Sequence, residues 1–424
     1  MFGRRVPRRV GVGMNIEFGI SKIDVTPQSP CRMGGYNRKG AWTDVLDPIE
    51  ANASAVCVDL VPFILIELDS IMVSKDFSLS VKNAVSSKTG IDSSNIVVAC
   101  IHTHSAPCYF KLAYEDTLPE TELTSDLIGL ATEAAVSAWA SRSKATVSME
   151  MLGIEGLYGN RNVQGGPADK QVSIFSFEDA QGGRPIGKML FISAHPTILN
   201  GKSAVLSADL IGHVRQRLER KYGCPVLCVN GTCGDVSTRF YRQGEGVAEL
   251  ERTANELCAQ IESKRERAAL RVDTPRWGSI SMKSVYDAKT DPDWIEMTNR
   301  IEAMDASPMR DFLLKRQQLK LSMGKIELEL PSQFAVIGNC IFITMPCDTC
   351  STLGLDFKRA FSNTTSLLSA MRTRTATTLC LRKTTASILK PTTRERRAGL
   401  PMRSLRESFR RSVPRYSGRY RPSW

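Results

Sequence analysis

A chain of 424 residues, 42% apolar and 24% charged, can bury one large core or two to three average domains, and this composition by itself selects no function. Its longest apolar run, Ala55–Leu68, is interrupted by Asp59 and Pro62 and falls short of the roughly 18–20 continuous apolar residues of a membrane span, so no transmembrane helix is expected. The formal charge of +12 sits at the ends: residues 371–424 carry 15 Lys and Arg against 2 acids and residues 1–13 four Arg against none, which leaves 37 against 42 in residues 14–370 and argues against a nucleic-acid partner for the body.

Residues 1–13 form a basic leader with no apolar segment behind it, so it is predicted to be disordered and not a secretory signal. From Met14 to about residue 362 apolar runs alternate with amphipathic stretches, the pattern of an α/β domain with a mixed β-sheet core flanked by helices. Strands are predicted at Ala55–Leu68, Ile96–Ile101, Thr146–Met151, Val172–Phe177, Lys188–Ala194, Pro225–Val229 and Phe334–Met345. Helices are predicted at Phe77–Ser87, Ser125–Ser141, Ala208–Tyr222, Val247–Arg265 and Asp293–Leu321. The third is marked most clearly: Ser207 can cap it, Asp209 suits its positive end, and Leu210, Val214 and Leu218 form one stripe.

Residues 363–424 turn rich in Arg, Ser and Thr with almost no acid, so they are expected to be an irregular or disordered tail, or the product of a shifted reading frame. The basic tail supports only a remote nucleic-acid alternative, since no recognition motif accompanies it. Of the twelve cysteines, Cys57, Cys100, Cys228 and Cys340 lie in apolar runs where a small hydrophobe fits, which points to a cytoplasmic protein. Cys347 and Cys350 make one C-x-x-C without the second pair of a zinc knuckle. No motif fixes an oligomeric state.

Only four histidines are present, and His102 and His104 stand two apart where the run NIVVACIHTHS leaves its strand. Residues two apart on a strand face the same side, so both imidazoles can reach one point, as metal ligands or as a ligand beside a proton-transfer group. A pair of hydrogen-bonded surface histidines would read the same way. Three other polar groups also follow apolar strands: His195, the Asp235 and Ser237 of NGTCGDVS, and Asp348. Ligands of open α/β sheets bind beyond the carboxyl ends of strands, so these ends can share a pocket. Taken singly, His195 reads as a core histidine, Asp348 as a helix cap, and Asn230–Ser237 as a tight turn or as a source of N–H groups for an oxyanion. His213, inside the capped helix, is left out of the site, and Cys108 lacks the basic surroundings of a nucleophilic thiolate.

Several segments together resemble the neutral, non-lysosomal ceramidase family and its shorter prokaryotic relatives. In chain order they are GISKIDVTP with MGGYNRKG, FILIELDS, IHTHSAP, GNRNVQGGPADKQVSIFSF, FISAHPTIL with LSADLIGH, NGTCGDVS and ITMPCDTCSTLGLDFK, within residues 14–362. The resemblance implies a zinc-dependent hydrolase of a linear N-acyl amide, working by attack of zinc-bound water at the carboxyl ends of the strands. It assigns zinc to His102, His195 and Asp348, proton transfer to His104, the substrate oxygen to Arg161, and a place in the pocket wall to Ser237.

Two departures set the alternatives. Asp348 stands where the family has Glu, and nothing in residues 363–424 resembles the family's Tyr-bearing segment, which supplies another zinc ligand. An inactive or truncated ceramidase-like protein is therefore the competing expectation. The family's C-terminal immunoglobulin-like domain has no counterpart, so a small N-acyl amide stands beside a ceramide-like lipid as the expected substrate.

Overall fold

The computed structural model describes residues 14–112, 115–273, 275–287, 289–290, 292–322, 324–361, 365–370 and 373–374. The basic leader and residues 375–424 of the tail lie outside them. Eight strands, β1 (Ile16–Asp24), β2 (Glu50–Val58), β3 (Val61–Leu68), β4 (Ile96–Cys100), β5 (Ser143–Gly153), β6 (Gln171–Asp179), β7 (Pro185–Ile192) and β8 (Val226–Asn230), pair in the order β8-β7-β6-β5-β1-β2-β3-β4. A ninth, β9 (Glu266–Ala268), adds to β5. The pairs β3–β4 and β7–β8 are parallel and the other neighbours antiparallel, so the sheet is mixed, as expected.

Both faces of the sheet are covered, which is why β3, β4 and β8 are apolar at nearly every position despite the period of two. On one face Ile64, Ile66, Leu68, Ile96 and Val98 pack under α1 (Lys75–Thr89) and α2 (Thr121–Ala140). On the same face of the other half, Val172, Ile174, Leu190, Ile192, Val226 and Cys228 pack under α3 (Asp209–Tyr222) and α4 (Gly246–Lys264). The opposite face carries Leu65, Val97, Ala99, Phe175, Phe177, Phe191, Leu227 and Val229 in a single cluster. Because the two ends of the strand order share that cluster, the sheet curls around it and the carboxyl ends of β4 and β8 come close together.

A second sheet of β10 (Arg276–Asp287), β11 (Lys325–Ile337), β12 (Cys340–Met345) and β13 (Thr365–Ala370) closes one side, with Phe342 of β12 packed 5.9 Å from Phe175 and 5.7 Å from Phe191. Helices α5 (Pro292–Glu302) and α6 (Pro308–Ser322) connect β10 to β11, and α7 (Ser351–Ala360) connects β12 to β13.

Several expectations change in detail. Ala55–Leu68 is a hairpin, because Asp59 and Leu60 take left-handed φ values of 45° and 69° and turn the chain before Pro62. Gly338 at φ 59° does the same inside Phe334–Met345. The single helix expected over Asp293–Leu321 is two, since Pro308 cannot continue the first and is suited to open the second. Strand β1 went unrecognised because its polar residues, Glu17, Ser21 and Lys22, hide an alternation that pairs it with both β2 and β5. Part of the supposedly irregular tail is regular: β13 takes the open edge of β12 in parallel register, and Thr373–Arg374 pairs with Val73–Ser74.

Candidate metal centre

The site is assembled where strands end. His102 lies two residues past β4, His195 three past β7, and Asp348 three past β12. One side chain joins the first two ends. The buried Asn230, last residue of β8, donates from Nδ2 to the carbonyls of Ile101 (2.6 Å) and Ala194 (3.1 Å), and its Oδ1 accepts from the Ala194 amide. The residues following those two carbonyls are His102 and His195. His102 is further fixed by its amide on the Ser70 carbonyl at 3.0 Å, and it holds a left-handed φ of 74°, an uncommon conformation for a residue with a side chain.

The three imidazoles converge. Nε2 of His102 is 3.0 Å from Nε2 of His195 and 3.1 Å from Nε2 of His104, and the third separation is 3.2 Å. Each Nδ1 instead faces a main-chain carbonyl: Ile71 at 2.5 Å for His102, Gly35 at 3.3 Å for His104 and Cys233 at 3.1 Å for His195. A carbonyl oxygen can only accept, so the neutral rings carry their protons on Nδ1 and turn three bare lone pairs toward one another. Unprotonated nitrogens this close repel unless a cation lies between them. Two ligands at ~2.0–2.1 Å from a tetrahedral ion stand about 3.3 Å apart, close to the spacing observed. Neutral rings with Nδ1 fixed by carbonyls are also the usual state of metal-binding histidines.

Burial holds His104 down to about 3, opposed by its Gly35 bond and assisted by Arg161 and Arg38. Burial likewise depresses His195 well below the ordinary imidazole range, with Arg161 and His104 adding to it. Asp348 is pushed up to about 7 by burial, with Arg161 opposing and Asp235 reinforcing. Its Oδ2 lies 4.0 Å from His102 Nε2. Arg161 donates from Nη2 to the Gly234 carbonyl at 2.7 Å, and its charge reaches both histidines and Asp348. Ser237 is buried, pairs with Gly159, and follows Val236, whose carbonyl accepts the His195 amide. Arg161 and Ser237 are thus linked to the centre through main chain: Arg161 through Gly234, and Ser237 through Val236, which holds His195.

Asp348 does not cap α7. The N-cap position is Cys350, and the amide of Ser351 is taken by Asp235 Oδ1 at 2.7 Å. Asp235 Oδ2 accepts from Asn160 at 3.2 Å, so this carboxylate ties the Arg161 loop to the helix behind Asp348 rather than closing its own turn. Lys358, paired with Asp169 at 2.8 Å, fixes α7 from its other end. His213 pairs with Asp47, its Nε2 2.9 Å from Oδ2. Ser207 accepts from the Asp209 amide, although the N-cap residue of α3 is Ala208.

Two positioning groups had no sequence signal beyond membership of MGGYNRKG. Arg38 donates to the His104 carbonyl at 2.7 Å and to those of Ser203 and Asn200. Gly35, at φ 96°, lies so close that an added Cβ would stand 2.8 Å from His104 Nδ1. Gly234 is the counterpart beneath Asp348: a Cβ there would be 2.8 Å from Oδ1 and 2.9 Å from the Asp348 carbonyl, so Gly234→Ala should displace the carboxylate. Affinity for an added divalent metal ion, measured by competition with a chromophoric chelator, is expected to fall ~10–100-fold, the usual effect of losing support around a ligand. Unchanged affinity would show that Asp348 does not help to hold the ion.

Among the described residues no helix is long and apolar enough to cross a membrane. No family model and no curated protein matches the sequence. The fold, however, is similar to two solved structures. A neutral ceramidase from Pseudomonas aeruginosa matches with a TM-score of 0.64 at 15% identity, over 84% of this chain and 67% of that one. A ceramidase complexed with C2 matches with a TM-score of 0.62 at 14% identity, over 84% and 68%. The chain therefore has the ceramidase fold.

Proposed function

We propose that the protein is a zinc-dependent hydrolase of linear N-acyl amides, of the ceramidase type. The observation that carries this reading is the meeting of three imidazoles, each with Nδ1 on a main-chain carbonyl and Nε2 to Nε2 at 3.0–3.2 Å, beside Asp348 in a ceramidase fold. His102 and His195 with Asp348 would hold the ion, and two imidazoles with one carboxylate are a familiar catalytic zinc shell. When bound, such an ion supplies Lewis acidity, bringing water toward ionisation at neutral pH and polarising an acyl carbonyl.

The chain's own groups do the rest. His104 turns its Nε2 toward the other two rings and can take the proton of the attacking water there. The same nitrogen then returns it to the departing amine, so that hydroxyl adds to the acyl carbon and hydrogen to the nitrogen as the C–N bond breaks. Arg161, held by the Gly234 carbonyl, places positive charge where the acyl oxygen becomes negative. Ser237 would contribute to the wall of the pocket.

The substrate is a small N-acyl amide or a ceramide-like lipid, and the cytoplasm is the proposed location. We assign one functional domain to residues 14–362. The 4.0 Å gap between Asp348 and His102 favours one second reading, a chain that keeps the fold without turnover.

The test is a panel of N-acyl substrates with short and long chains, assayed after chelation and again after zinc is restored. Amine release that vanishes with chelation and returns with zinc is the expected result. A chain that binds no zinc and releases no amine from any of these substrates would replace the first reading by the second.

A further inference from the structure

Three buried cysteines fill apolar space: Cys100, Cys228 and Cys340 each belong to one of the hydrophobic clusters. Cys233 is equally buried and belongs to none of them. It sits at the centre of the turn following β8, where the Gly231 amide is bound to the Ile192 carbonyl and the Gly234 amide to the Thr349 carbonyl. Its own carbonyl is the oxygen that fixes Nδ1 of His195. The turn is therefore fastened on one side to the strand before His195 and on the other to the segment after Asp348. Ligand atoms of His195, Cys233 and Asp348 all lie within 4.8 Å of one another.

We propose that Cys233 Sγ is itself a metal donor, so that the centre combines imidazole nitrogen, thiolate sulfur and carboxylate oxygen. The assignment rests on the metal-centre reading above and names a ligand that reading did not contain. Its chemistry is self-consistent: a dication displaces the thiol proton to solvent, and the S–H bond is replaced by a metal–sulfur bond without any change of oxidation state. Sulfur beside nitrogen selects zinc over the hard, oxygen-seeking magnesium and calcium ions. It also adds a negative charge to the shell, which tightens binding while moderating the acidity of the ion.

X-ray absorption of the zinc-loaded full chain needs no substitution. One sulfur at ~2.3 Å is expected among lighter atoms at ~2.0–2.1 Å, and a shell containing nitrogen and oxygen alone would overturn the proposal. Cobalt(II) in place of zinc then identifies the sulfur. A near-ultraviolet thiolate-to-cobalt band should be present in the native chain and absent from both Cys233→Ala and Cys233→Ser, with cobalt still bound. A band surviving in both variants would assign the sulfur elsewhere and overturn the proposal. If the native chain binds neither metal, the zinc-hydrolase reading falls first, and Cys233 with it.

Discussion

Replacing His102 with alanine is expected to release the metal. His102 is the hub of the site, with Nε2 3.0 Å from His195, 3.1 Å from His104 and 4.0 Å from Asp348. Losing a group that only orients a metal ligand costs ~10–100-fold in affinity, so losing this nitrogen should cost at least about a hundredfold. His104→Ala should behave differently. If its nitrogen carries protons rather than the ion, the variant retains about one zinc per chain while kcat falls by ~10²–10⁴-fold. Metal analysis of the two proteins after gel filtration separates the roles. Zinc retained in His102→Ala would remove the hydrolase proposal, and zinc lost equally in both would make His104 a third ligand.

The largest loss of stability is expected from Arg215→Ala. This fully buried guanidinium on α3 bonds both oxygens of Asp69, at 2.8 and 2.6 Å, and lies 2.8 Å from Glu50. Asp69 is raised by its burial and restrained by Arg215, so removing the cation leaves carboxyl groups enclosed without compensation. Breaking a buried pair from one side typically costs ~3–5 kcal/mol, to be measured as a shift in the urea midpoint at fixed slope. The effect should reach the metal as well, because Asp69 is followed by Ser70 and Ile71, whose carbonyls hold the His102 amide and Nδ1. A loss below about 1 kcal/mol would show that the ion pair is not what secures this segment.

The chemistry of the site was easier to read than its supports. H-x-H at a strand end implies convergence directly, because the period of two places both rings on one side, and His195 and Asp348 were marked by the same position after apolar runs. Asn230, Arg38 and Arg215 carried no such mark, since each acts through partners far along the chain: 129 residues for Asn230 and Ile101, 146 for Arg215 and Asp69. Periodicity reports local geometry and is silent about such bonds. The same limit hid β1, whose place is decided by neighbours on both sides rather than by its own mixed sequence, and it hid the role of Asp235, whose partners Asn160 and Ser351 belong to distant loops.

The Asn230 amide has one more effect. By gripping Ile101 and Ala194 together it makes the gauge between two imidazoles a property of the frame, so an arriving ion meets a seat already cut to size. Calcium, with bonds of ~2.3–2.6 Å, would have to spread the two chain ends and stretch an enclosed hydrogen bond to fit, whereas an ion of zinc's dimensions slips in without disturbing the clamp.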